Sequence, residues 1–369
     1  DMKKKNLCKT LVKTICIVLG ILILALLAYI VYLYASYYRI EDNQELVVEA
    51  PVDDTTTGAA AVLATDTEYS AVTYNIGFGA YLPDYSFFMD GGTSSWAESP
   101  ETVQYAINGA GELVNSLDPD FALIQEIDLD ATRSYHTDEY EMLRNILPEY
   151  TTVFAQNYDS AFLFYPFTQP HGSSRAGLGL FSKYPVASAL RRSFPISTSF
   201  SKFFDLDRCY SVSRIPVDNG KELVIFNLHM SAYGNSDEIR KGQIEMLCND
   251  MAKEYEAGNY VLCGGDFNHD LKASEEDAEN CESWAFPFPR TELPEHFAFC
   301  LDLLSSEERE ALWNSARNAD MEYVPGVTYT VTLDGFIISD NIECRSYENV
   351  NTGYSYSDHD PVKVEFVLK

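Results

Sequence analysis

Positive charge is what this chain has least of. In 369 residues, 26 Lys and Arg stand against 56 Asp and Glu, a formal net charge of −30. Such a surface repels polyanions over a Debye length of about 8 Å at physiological salt. DNA and RNA are therefore disfavoured as partners unless a local basic cleft or a bound cation reverses the field at close range. A Cys-x-x-Cys pair is also missing, and no Cys/His spacing suggests a zinc site. Of the eight cysteines, Cys248 and Cys263 lie in apolar runs and read as buried thiols, while Cys281 and Cys300 are candidates for a disulfide across an irregular segment. No internal repeat is visible.

Charge and proline are both absent from Ile15 to Ser36, a run of 22 residues. That is long enough to cross a hydrocarbon core of about 30 Å as one helix. Lys3, Lys4, Lys5, Lys9 and Lys13 precede the run, and Glu41, Asp42 and Glu45 follow Arg39. By the positive-inside bias the basic tail (1–14) lies in the cytosol, the anchor spans 15–38, and the rest is extracellular at the cell membrane. Tyr29, Tyr32, Tyr34, Tyr37 and Tyr38 are placed to form an interfacial belt. A cleaved signal peptide is the competing reading, disfavoured by the length of the apolar core. Removing residues 1–38 takes away five lysines and Asp1, leaving 21 basic against 55 acidic residues.

Residues 39–67 are rich in Thr, Ala and acids with no sustained period, and read as an extracellular stalk. From 68 to 369 the pattern is that of a globular domain. Alternating apolar runs predict strands at 69–76, 121–127, 151–156, 177–183, 209–217, 222–230, 260–267, 334–340 and 361–368. Helical periodicity is expected over 100–117, 138–147, 235–257 and 306–318; in the third, Ile239, Gln243, Met246, Leu247 and Met251 trace one stripe. The Pro- and aromatic-rich stretch 281–300 reads as a long surface loop. Alternating strands and helices argue for a layered α/β domain.

Several of these strands end in groups suited to metal or phosphate chemistry. Asn75 closes the first, Gln125 and Glu126 the second, and Asn227 and His229 a later one. Gly264-Gly265, which permits close backbone approach, precedes Asp266 and Asn268. Asp334 opens a strand, and Ser357-Asp358-His359 stands just before the last. Each has a plain explanation as a cap or turn residue. Six together, in this order, are hard to obtain by accident.

This ordered set resembles the endonuclease/exonuclease/phosphatase superfamily, which includes deoxyribonuclease I, abasic-site endonucleases, inositol polyphosphate phosphatases and sphingomyelinases. The likeness spans about residues 69–369, and "GLGLFSKYPV" (177–186) fits it too. It implies a four-layer α/β sandwich of two mixed sheets flanked by helices, here preceded by one transmembrane helix. The implied reaction is metal-dependent hydrolysis of a phosphoester. Glu126 and Asp358 are the implied ligands for Mg²⁺, with Mn²⁺ or Ca²⁺ possible. His359, oriented by Asp334, Asp266, Asn268, His229 and Asn75 are the implied catalytic groups. Arg133, His136 and Arg175 are further candidates for contacting substrate, with His171, Arg290 and Arg317 as others. The basic loop with which nucleases hold a duplex is not evident, nor are the Lys- and Arg-rich signatures of the inositol phosphatases. A phosphoester substrate of lipid or small-molecule type is therefore expected, with a surface nuclease or an inactive binding ectodomain as alternatives. No protein partner is implied.

Overall fold

The computed structural model describes residues 2–53, 62–231, 237–274 and 284–369. It divides into two units, 1–39 and 40–369. The first is a single helix, α1 (Met2–Ser36). Among the described residues, Asn6–Ser36 of this helix is the one stretch long and apolar enough to cross a membrane.

The second unit is a sandwich. Its strands are β1 (Gln44–Glu45), β2 (Val48–Glu49), β3 (Glu68–Asn75), β4 (Phe121–Ala131), β5 (Thr151–Asp159), β6 (Ser174–Ser182), β7 (Ser188–Ser193) and β8 (Cys209–Pro216). They continue with β9 (Glu222–His229), β10 (Tyr260–Asp266), β11 (Phe297–Phe299), β12 (Ala316–Arg317), β13 (Thr330–Val331), β14 (Asp334–Ser339), β15 (Ile342–Asn349) and β16 (Val362–Leu368). The helices are α2 (Pro100–Leu117), α3 (Glu139–Ile146), α4 (Asp237–Glu256) and α5 (Ser306–Ala311). One sheet runs β1-β7-β8-β9-β10-β14-β11 and the other β15-β16-β3-β4-β6-β5-β2. Both are mixed: β9–β10 and β3–β4 pair parallel, the remaining neighbours antiparallel.

Alternation along the strands builds the layers. In β4, Phe121 and Leu123 belong to the core that also holds Phe226 and Leu228 of β9. Ala122 and Ile124 point the other way, into the cluster with Val103, Ile107 and Val114 of α2. On the far side, Ile244, Leu247 and Met251 of α4 join the core. Helices, sheet, sheet and helix make four layers. Helix α2 begins where expected because Ser99 accepts the Thr102 N–H and Pro100 occupies the first turn.

Three expectations are revised, and a fourth falls in part outside the described residues. The segment read as a stalk is in part sheet: β1 pairs with β7 and β2 with β5, adding an edge to each sheet. Ile40 is buried and Leu46 and Val48 pack on the core. The guanidinium of the fully buried Arg191 donates to carbonyls of Glu41, Gln156 and Asp207. The helix read at 306–318 stops at Ala311, and Ala316–Arg317 is a strand. The stretch read as a surface loop buries Ala285, Phe288 and Phe299, because its aromatics fill the core beside Phe267. Cys281 lies outside the described residues, and Cys300 is a free buried thiol beside Cys344.

A measurable consequence follows for residues 40–67. A protein starting at Glu68 loses the burial of four aliphatic side chains, Ile40, Leu46, Val48 and the fully buried Leu63, worth up to about 1.5–3 kcal/mol each, and leaves the Arg191 guanidinium short of one acceptor. Ordering the segment offsets part of this. Calorimetry should show it melting roughly 5 °C or more below a protein starting at Ile40. Equal melting points would restore the stalk reading.

Candidate active site

The register places the polar residues at one end of both sheets. Asp266 at the end of β10 stands opposite His229, the last residue of β9, and Asp334, the first residue of β14. In the other sheet Asn75 pairs with Gln125 across β3–β4. Because β14 and β16 are antiparallel to these neighbours, their starts meet the others' ends. His359, three residues before β16, thus arrives at the same edge.

Glu126 reaches the cleft by a break in the ladder. Pairing of β4 with β6 shifts between Ile124 and Ile127, and Glu126 adopts φ +56. A bulge with a residue in the left-handed region re-aims a side chain at a local cost of about 1–2 kcal/mol. Asn268, φ +50, is turned in similarly after Gly265, where a Cβ would lie 2.1 Å from the Leu228 carbonyl oxygen.

The groups interlock. Nδ2 of Asn75 donates to Glu126 Oε1 and to Asp266 Oδ2, both at 3.1 Å. Asp266 Oδ1 accepts the Asn268 N–H at 2.8 Å, and Asn268 Nδ2 donates to the Met230 carbonyl at 2.8 Å. His359 Nδ1 donates to Asp334 Oδ2 at 2.7 Å, and the same oxygen accepts from Ser315 Oγ at 2.7 Å. The other ring nitrogen, Nε2, lies 3.8 Å from Asp266 Oδ2, and His229 Nε2 lies 3.5 Å from that oxygen. Ser357 Oγ donates to the Asn75 carbonyl at 2.8 Å and accepts the His359 N–H. The Ser-Asp-His segment is thereby stitched to the end of β3. Asp360, the second acid beside the histidine, is structural: it accepts from Trp313 Nε1 at 2.8 Å and from the Thr352 and Tyr354 N–H groups.

Electrostatics separates the roles. Burial alone would depress His359, but the Asp334 carboxylate, helped by Asp266 and Asp358, holds it well above the ordinary imidazole range. Burial, then the charges of Arg208, His359 and Arg133, push His229 well below that range, so it is neutral. Burial raises Asp266 to about 7 against the pull of His359. Glu126 is raised by burial and then by Asp358; Asp358 is raised by burial, with His359 and Arg317 opposing.

Two half-buried carboxylates, Glu126 and Asp358, the first raised in part by the charge of the second, form a hard-oxygen donor pair that fits a divalent cation. Asp266, Asp334 and His359 also converge closely enough to hold an ion. There, however, His359 Nδ1 and Asp334 Oδ2 already satisfy each other, and Glu126 and Asp358 form a second candidate set.

The cavity at this edge measures about 360 Å³, and its wall includes Glu126, His229, Asp266, Asn268, Asp358 and His359. Arg133 also lines it, held by two donations to Asp128 and stacked 3.7 Å over the Phe78 ring. Arg317 and His171 line it as well. His136 and Arg175 do not. They form a surface ion cluster with Asp130, their side chains 62% and 53% exposed, because Asp130 and Arg175 pair across β4 and β6 on a solvent-facing side. Arg290 is turned away to Asp302. Gln125 and Asn227 are joined by a buried hydrogen bond of 2.8 Å that ties the two sheets together. Sequence reasoning missed Asn157, Tyr158 and Arg208 in the cavity wall; the last residues of the "TTVFAQNYD" strand and the residue just before "CYSVSRIP" were the available signals.

Residues 72–303, more than half of the chain, match the model of the Endonuclease/Exonuclease/phosphatase family. The chain belongs to that family. Asp334, Asp358 and His359 lie beyond the matched stretch, and the fold returns them to it. An endonuclease/exonuclease/phosphatase from Beutenbergia cavernae DSM 12333 superposes with a TM-score of 0.56 at 15% identity, covering 82% of this chain and 72% of that one. D. rerio TDP2, solved with a single-strand DNA product, gives 0.54 at 14% identity over 82% and 99%. The mannosyl-6-phosphatase of Bacteroides thetaiotaomicron VPI-5482 gives 0.50 at 17% identity over 81% and 100%. No curated protein matches the chain. Members of the family are in general metal-dependent phosphoester hydrolases.

Proposed function

We propose that the chain is a membrane-anchored, extracellular, divalent-metal-dependent phosphoesterase that cleaves a phosphodiester or phosphomonoester by in-line attack of water. The observation that carries this reading is the line Asp334–His359–Asp266 facing Glu126 and Asp358 across one cavity. Asp266 is the group to accept a proton from the attacking water, since its carboxylate is raised to about 7. Cationic His359 stabilises the phosphoryl oxygens, and Asn268 adds a neutral donor. Neutral His229 hydrogen-bonds the phosphate or the leaving oxygen from the other flank. Asn75 aligns Glu126 with Asp266. A hard cation held by Glu126 and Asp358, Mg²⁺ before Mn²⁺ or Ca²⁺, would offset charge building on the phosphoryl and leaving oxygens when bound.

Lipid or small-molecule substrates are favoured by the acidic surface and by exposed apolar side chains at the mouth, Met89 and Phe204. A surface nuclease is the second reading, supported by the likeness to TDP2 solved with DNA. The deciding experiment assays the full chain in detergent with Mg²⁺, Mn²⁺ or Ca²⁺ on plasmid DNA, RNA, sphingomyelin, phosphatidylinositol and a chromogenic diester. Turnover of DNA or RNA alone would favour the nuclease; no turnover of any phosphoester would leave a binding ectodomain.

The pH dependence has a definite sign. Asp266 must be deprotonated to accept a proton, and its raised value puts that step near pH 7. His359 must stay protonated, which its elevation by Asp334 secures to well above the ordinary histidine value. The kcat/KM of the chromogenic diester should climb about tenfold per pH unit below 7 and fall only far above it. A profile flat from pH 5.5 to 8 would contradict the assignment of Asp266.

A further inference from the structure

The cavity extends beyond the catalytic strand ends toward β5, β6 and β8, where Asn157, Tyr158, His171, Ala176 and Arg208 line it. All five are buried, with Asn157 1%, His171 5% and Arg208 5% exposed. Yet Nδ2 of Asn157, Nδ1 of His171 and Nε of Arg208 have no hydrogen-bond partner. A buried polar group left without a partner costs about 1–3 kcal/mol, and native structures tolerate it chiefly where a ligand, ion or water completes it. Here three fall on one wall of one cavity, and the catalytic roles assigned above use none of them.

Their chemistry is one-sided. An amide Nδ2 and a guanidinium Nε carry hydrogen only as donors. Arg208 spends Nη1 on the Met230 carbonyl at 2.7 Å, a neutral acceptor, and Asp205 stands 4.0 Å from its Nε. Its charge thus lacks a directly hydrogen-bonded carboxylate, whereas Arg133 beside it is neutralised through Asp128. Phe78, Phe87 and Tyr158 supply apolar walls. Donors, a cation without a directly hydrogen-bonded carboxylate and a partly apolar enclosure together suit an anionic group carrying several acceptor oxygens, which would compete with Asp205 for Arg208.

Resting on the phosphoesterase reading, we propose that Asn157 and Arg208, with His171 at the wall, form a second anion subsite, and that the substrate carries a phosphate or carboxylate in addition to the scissile phosphate. The subsite deepens the choice among substrates. It favours a doubly anionic small molecule or headgroup over an ester whose second arm is neutral or cationic.

Binding without turnover tests this. The full chain in detergent, with chelator present, is titrated calorimetrically with methylphosphonate and with alkane-α,ω-bisphosphonates of one to five carbons. At least one bisphosphonate should bind roughly tenfold or more tightly than methylphosphonate, the gain of about one charge-assisted contact. Asn157→Asp keeps the side chain's shape but faces the second anion with a carboxylate, and should erase most of that gain; Arg208→Gln should do the same by removing the charge. If no bisphosphonate exceeds methylphosphonate by more than about threefold in the wild type, or the gain survives in both variants, the subsite is refuted. Because affinity is read without catalysis, a chain that shows the bisphosphonate gain yet hydrolyses nothing would overturn the phosphoesterase reading and leave the subsite standing.

Discussion

His359→Ala and Asp334→Ala are each expected to lower turnover on the order of 10²-fold or more, and the double variant to be barely worse than the weaker single. The geometry gives the reason. The 2.7 Å bond from Nδ1 to Oδ2 both fixes the ring and holds it charged. Without Asp334, the main support for the imidazole's charge is lost while burial still opposes it; without His359, Asp334 has no ring left to act on. Either change removes the same cationic group from the cavity. Asp334 is fully buried and also accepts from Ser315 Oγ, so Asp334→Asn, with the same shape, separates lost chemistry from lost folding. It should retain the melting point to within a few degrees and still lose most of the activity. Losses that multiply would show that the two act independently.

Glu126→Gln is expected to abolish activity or raise the required metal concentration by about 10²-fold, since a neutral amide replaces a carboxylate ligand of a hard cation. The sign of its effect on stability is the more discriminating part. Burial and the facing Asp358 both disfavour the Glu126 charge, so neutralising it relieves repulsion. In chelator the variant should melt at or above the wild-type temperature, while the upward shift that Mg²⁺ or Mn²⁺ gives the wild type through binding should largely vanish. A variant less stable in chelator yet fully stabilised by metal would place the cation elsewhere, with Asp266, Asp334 and His359 the next set to examine.

The central strands were legible because they are long, nearly continuous apolar runs buried on both faces, as in Phe121–Ile124 and Leu223–Leu228. β7 escaped because Arg191 and Arg192 interrupt its pattern; only the folded chain provides the carbonyls that satisfy the buried Arg191. β15 is an edge strand with mixed exposure and no alternation to read. β1 and β2 have two residues each, too short for any period, and are held by partners that lie more than a hundred positions away. At the site, the strand-end acids and histidines were legible from their positions after apolar runs. His136 and Arg175 were misplaced because a cross-strand ion cluster on a sheet face looks the same in sequence as a cleft rim. The converse holds for Arg208, whose interest lies in a missing hydrogen bond that no sequence displays.

The most direct test of the account is hydrolysis of a chromogenic phosphodiester by the full chain in H₂¹⁸O, with Mg²⁺ and then with excess chelator. In-line attack by water at phosphorus predicts release of the chromophore only with metal present. The phosphoryl product should carry one ¹⁸O and the leaving alcohol none. Full activity in chelator, or label in the alcohol, would contradict it.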